Sequence, residues 1–269
     1  YNTYIKVLNN IIFIHPTKCA GTTISKRLFK LKGFYNKDSA FYSGYSFNLF
    51  FQKNIQFFNS IFHSKNPAII LIYLLFYCVC LYFKLKNLLS NNKYGLTFTN
   101  GSIQHFTYKQ WKKIKKIKHN SICISIVTHP QRRIVSSYYF LGYDKHYSFI
   151  DFLKKIQNGS LLSSIPFVGF RAIIKQHLIS MYDYIIDDNG KNNIDFLFTR
   201  KTLNNDWEQF CKKYNIQHDA LKHVNKTKSL KDWKELYRIY PEASQLVYDL
   251  YQQDFEYFNY KIITFNNNS

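Results

Sequence analysis

The residues with the clearest chemical potential form one short run, His15-Pro16-Thr17-Lys18-Cys19-Ala20-Gly21-Thr22-Thr23. Small side chains here let a backbone approach a ligand closely. The helix expected to follow offers unpaired N–H groups that favour an anion. Lys18 adds a mobile cation, and Thr22 and Thr23 add hydroxyl donors. This is the chemistry of a phosphate- or sulfate-binding loop; the plainer alternative is a strand-to-helix turn carrying a solvated lysine. Two familiar anion loops are excluded by residue order. A Walker A loop closes on Gly-Lys-Ser/Thr, whereas Lys18 precedes Gly21. A tyrosine-phosphatase loop needs arginine where Ser25 stands. A second run, Val127-Thr128-His129-Pro130-Gln131-Arg132-Arg133-Ile134-Val135-Ser136-Ser137-Tyr138-Tyr139, also joins a strand end to a helix start.

The surrounding pattern must position these runs. Asn10 to His15 and Ile122 to Val127 are short apolar runs of the kind that forms buried strands, and Ile194 to Phe198 follows the turn signal Asp188-Asn189-Gly190. Helical spacing marks 24–31, 109–118, 130–139, parts of 148–180, 203–214, 230–238 and 241–257. Strands alternating with helices predict an α/β fold with a central parallel sheet flanked by helices. There is no internal repeat and no linker. The expectation is a single domain over 1–269, with an apolar helical insertion at about 41–98.

Composition narrows the class. The chain has 269 residues, 46% hydrophobic and 20% charged, which is enough for a sizeable core and unlike a disordered chain. The net charge of +21 predicts polyanionic company; the abundance of Lys, Asn, Ile, Phe and Tyr also fits drift in an AT-rich genome. Five cysteines in no repeated spacing are neither a disulfide framework nor a four-cysteine zinc site. No metal site is expected. The chain begins at Tyr1, as a fragment would.

Taken together, the motifs carry a resemblance. His15 to Thr23 resembles the 5′-phosphosulfate loop of the membrane-associated carbohydrate sulfotransferases, H-I-P-K-C-A-G-T-T. Val127 to Tyr139 is similar to that family's 3′-phosphate motif, V-R-D-P-x-x-R-x-x-S-x-Y. Asp195 to Trp207 resembles D-F-x-G-R-F-E-x-L-x-x-D-F, and two further stretches, His223 to Thr227 and Tyr248 to Tyr260, resemble its closing motifs. The resemblance implies a P-loop-like three-layer fold that transfers a sulfuryl group from 3′-phosphoadenosine 5′-phosphosulfate (PAPS) to a hydroxyl of an acidic or neutral glycan. It implies a membrane-associated protein, in the Golgi lumen of a eukaryotic cell. Lys18, Cys19, Ala20, Gly21, Thr22 and Thr23 would hold the 5′-phosphosulfate. Thr128, Arg133, Ser136 and Lys226 would face the 3′-phosphate. His105, within Gln104-His105-Phe106-Thr107-Tyr108 (resembling G-H-F-x-Y), is the candidate base, because histidine titrates near neutrality. His15 is expected to pack at a strand end, and His129 to cap the following helix.

The chain also departs from the pattern. Thr128 stands in place of a 3′-phosphate arginine, and losing such a contact costs on the order of 1.5–3 kcal/mol. Arg132 or Lys226 are the candidates to compensate. Lys201 replaces a glutamate and Thr199 an arginine. Ala68 to Phe83 is uncharged between Lys65 and Lys84, short of the ~20 residues a membrane span needs. A single span would put Lys18 and Ser136 on opposite sides of a bilayer, so 47–83 is expected at a membrane surface, packed within protein, or as a hairpin. Lys109 to Lys118 is either a glycan-binding run or a solvated helix face, and no nucleic-acid motif accompanies it. The alternative function is a non-catalytic, basic homologue that binds membrane or glycan with a degenerate PAPS site.

Overall fold

A computed structural model describes residues 10–30, 105–165, 168–216 and 232–265. The insertion at 41–98, Lys226 and the His223–Thr227 motif lie outside the described residues. The elements, in chain order, are β1 (Ile11–Ile14), α1 (Gly21–Lys30), α2 (Tyr108–Lys113), β2 (Ile122–Val127), α3 (Pro130–Leu141), α4 (Phe149–Gln157), α5 (Ser160–Ser163), α6 (Val168–Leu178), α7 (Met181–Ile185), β3 (Phe196–Thr199), α8 (Leu203–Lys213), α9 (Glu235–Ile239) and α10 (Ala243–Tyr257).

The three strands form a parallel sheet in the order β1-β2-β3. Ile14 pairs with Ser125, and Val127 pairs with Thr199. The strands are apolar on both faces, as parallel strands covered by helices must be, and Phe13, Ile14, Ile124, Ile126 and Phe198 are all buried. Two polar devices fix the register. Ser125 Oγ donates to Ile14 O at 2.8 Å, and Asp195 Oδ2 accepts from Cys123 N at 2.7 Å. The sheet and its crossovers are the α/β architecture that the sequence predicts.

The chain divides into two compact units with no linker in its composition. Among the described residues, one unit comprises 10–30, 105–136, 179–216 and 232–265, and the other 137–165 and 168–178. The first unit holds the sheet. Its aromatic content fills the core beside β3, where Phe196, Phe198, Trp207 and Phe210 form one ring cluster. In the second unit Tyr138, Tyr143, Phe149 and Phe152 do the same, and Ser148 caps α4 by accepting from Asp151 N. The helix expected over 109–118 stops at Lys113. Lys115 turns to φ 55, and dense like charge gives the next turn nothing to hold it. No helix among the described residues is long and apolar enough to cross a membrane.

Candidate active site

β1 ends at Ile14, and the chain turns through 15–20 into α1. The turn is tight. Lys18 (φ 64) and Ala20 (φ 73) take left-handed backbone, while Cys19 between them does not. Such conformations are uncommon for residues with a Cβ and mark functional sites when the surroundings enforce them. Alternating handedness curls successive N–H groups around a concavity suited to an anion. Thr23 N donates to Ala20 O at 3.0 Å, closing the first turn of α1.

The surroundings do enforce the loop. Arg133 is 2% exposed; its Nε donates to Thr17 O at 3.1 Å and its Nη2 to Thr17 Oγ1 at 3.4 Å. The buried Tyr184 hydroxyl also bonds Thr17. Cys19 Sγ donates to Thr17 O at 3.4 Å and lies 3.4 Å from Met181 Sδ, which also accepts from Thr128 N at 3.4 Å. Arg133 is therefore a clamp behind the loop, and the 3′-phosphate contact expected of it falls on a guanidinium already engaged. Thr128 is likewise withdrawn, at 2% exposure. Ser136 lies a turn beyond Arg133 on α3 and is also buried. In the loop itself Lys18 and Ala20 are half-buried, Thr22 is exposed, and Cys19, Gly21 and Thr23 are buried.

His15 packs as expected, stacked on Phe13 with ring centroids 5.0 Å apart. Its other neighbour is His105, at 4.6 Å. His105 Nδ1 donates to His15 O at 2.9 Å, although 90 residues separate them. A carbonyl partner at Nδ1 assigns the proton there, leaving the neutral ring its lone pair at Nε2. Burial pulls the imidazole down to about 4, with the charges of Lys18 and Arg133 adding to the effect. The ring is thus a neutral acceptor across the physiological range, close to the loop's lysine. Burial, then the charge of Arg200, lowers the Lys18 ammonium to about 8.

Arg200 is a cation of this region that no sequence motif singles out. It follows β3 directly and is half-buried near Lys18 and Arg132. The family pattern has its arginine where Thr199 stands; a cation stands at the adjacent position. Asp206 holds this turn, accepting from Thr199 N at 2.6 Å and Thr202 Oγ1 at 3.0 Å.

His129 does not cap α3 with its side chain. Its Nε2 donates to Lys261 O at 3.0 Å, and its ring packs among Trp233, Phe255 and Tyr260. Gln131 completes the tie, exchanging bonds with Ile263 N and O. The closing segment is thereby fastened to the start of α3. Asp254, from the closing motif, accepts from Met181 N and Tyr182 N at 3.0 and 2.8 Å and braces α7 beneath the loop.

The described part of the site is a half-buried cationic loop, a neutral histidine acceptor beside it and a rigid polar support behind it. That set fits a bound sulfate or phosphate ester. No curated protein and no solved structure matches the chain significantly. The model of the sulfotransferase family matches residues 2–261, and the chain belongs to that family, whose chemistry is sulfuryl transfer.

Proposed function

We propose that the chain transfers a sulfuryl group from PAPS to a hydroxyl of a carbohydrate acceptor. The observation that carries this reading is the convergence of His105 and Lys18 at one loop. PAPS, when bound, supplies an activated sulfuryl group whose bond to the 5′-phosphate oxygen breaks as the acceptor oxygen bonds to sulfur. Nε2 of His105 takes the hydroxyl proton, and its Nδ1 bond to His15 O keeps the tautomer that can do so. Lys18 and the α1 N-terminus neutralise the charge gathering on the departing phosphate. Arg133, Tyr184 and Cys19 hold Thr17 so that the loop does not have to be ordered on binding. Among the described residues Ser136 remains the candidate hydroxyl for the 3′-phosphate.

The carbohydrate acceptor and a membrane-surface, Golgi-type location are part of this proposal. The motif resemblance, the +21 charge and the apolar run 68–83 support them. The test is calorimetric titration with adenosine 3′,5′-bisphosphate (PAP), followed by turnover with labelled PAPS over a panel of glycans, phenols and amines. Lys18→Ala and Ser136→Ala should weaken PAP binding. His105→Ala should cut turnover by about 10²–10⁴-fold and leave PAP affinity within about threefold. Turnover near the parent level in His105→Ala would overturn the base assignment. Sulfation of phenols or amines but of no glycan would overturn the acceptor class.

A further inference from the structure

Each of the three parallel strands is followed, past its C-terminal end, by a cation: Lys18 after β1, Arg132 after β2 and Arg200 after β3. The ends are lateral neighbours, since β2 pairs with both other strands and Val127 is opposite Thr199. Ligands of open parallel sheets sit at these ends. Arg132 and Arg200 are half-buried, and among the described residues neither makes a hydrogen bond or ion pair with an acid. The acids on either side of Arg200 along the chain are engaged elsewhere: Asp195 Oδ2 accepts from Cys123 N, and Asp206 Oδ2 from Thr199 N and Thr202 Oγ1. Burial disfavours the charges of Arg200 and Lys18 first, and Arg132 adds to the effect at Arg200 as Arg200 does at Lys18. Half-buried guanidinium groups that repel one another suit a ligand with more than one anionic centre.

Resting on the nucleotide reading above, we propose that Arg200, with Arg132, binds the second anionic group of the donor, its 3′-phosphate. The end of β3 thereby supplies the positive charge that Thr128 does not provide at the end of β2. The charge of Arg200 is felt at Lys18 and Cys19 of the loop that would hold the nucleotide, in keeping with its place beyond β3.

The test compares PAP with adenosine 5′-monophosphate on the full chain, with thermal unfolding to confirm that each variant folds. Arg200→Ala removes no internal hydrogen bond among the described residues, so its fold should persist. It should weaken PAP by about 10- to 100-fold, the range of a lost charge-assisted contact. Adenosine 5′-monophosphate should change by less than about twofold, and Arg200→Lys should recover part of the PAP affinity. Equal weakening of both nucleotides would overturn the proposal by putting Arg200 at the 5′ end. Unchanged PAP affinity would overturn it in favour of an acidic acceptor. A parent chain that binds neither nucleotide would overturn the nucleotide reading itself, a result distinct from the other two.

Discussion

Gly21 lies so close to His15 that a Cβ built on it would fall 2.0 Å from Nε2 and 2.1 Å from Cδ2 of the imidazole. The requirement for glycine is thus set by a neighbouring ring. That ring is held between Phe13 on one side and His105 on the other. Gly21→Ala must displace this ring, which lies 4.6 Å from that of the proposed base. We expect a stability loss of about 1–3 kcal/mol, the usual cost of overpacking, together with impaired turnover. Adding His15→Ala should recover part of the stability, and a double-mutant cycle by urea denaturation measures that coupling. Additive losses would mean that Gly21 meets its constraint elsewhere.

The lysine of the loop makes binding dependent on pH. Burial and Arg200 hold Lys18 down to about 8. A bound phosphate favours the charged ammonium, so its pKa rises in the complex and binding takes up a proton above that point. PAP affinity should be full below about pH 7.5 and fall as pH rises through about 8, by up to about tenfold per unit. This range lies above the second phosphate ionisation, near about 6. Lys18→Arg stays charged throughout and should flatten the profile. Calorimetry from about pH 7 to 9.5 on both proteins reads the difference directly.

Much of this arrangement is legible in sequence, for physical reasons. IIFI and ICISIV are runs that only a doubly covered strand can bury, so β1 and β2 follow from composition. The Lys18 loop is legible because its chemistry is contiguous. What is not legible is set by register and long-range packing. Arg200 comes to the same end of the sheet as Arg132 because Val127 pairs with Thr199; in the one-dimensional motif it is a neighbour of a missing arginine. The duty of Arg133 depends on a bond to Thr17 across 116 residues. Asp254 meets Met181 across 73, and no local pattern signals a carboxylate that braces another helix.

Cys19 sits among the binding residues, yet its thiol is not a reactive group. It is 0% exposed, donates to Thr17 O, and burial pushes it up to about 12. A buried, protonated sulfur is a poor nucleophile. Native protein treated with iodoacetamide at about pH 8 should therefore carry no label at Cys19 by peptide mass spectrometry. Cys19→Ala should lose about 1–2 kcal/mol of stability from the vacated space and the lost sulfur contacts. Rapid native labelling would show that the loop opens in solution.

Asp254 links the loop's support to pH with the opposite sign from a surface carboxylate. Burial raises it from 3.8 to about 6, against the pull of Arg133 and the two N–H bonds from α7. Between those values the folded chain holds a proton that the unfolded chain has released. The group's contribution to stability is thus full below about pH 4 and is lost as pH rises through about 6. The loss is on the order of 3 kcal/mol, about 1.4 for each unit of displacement. Asp254→Asn does not titrate. It weakens the brace on Met181 and Tyr182 at every pH, but it should escape this slope. Urea melts of both proteins from about pH 4 to 7 should show the variant's deficit shrinking as pH rises. A deficit that grows instead would mean that Arg133 holds the carboxylate ionised down to acid pH and that the clamp on Thr17 rests on a true buried ion pair.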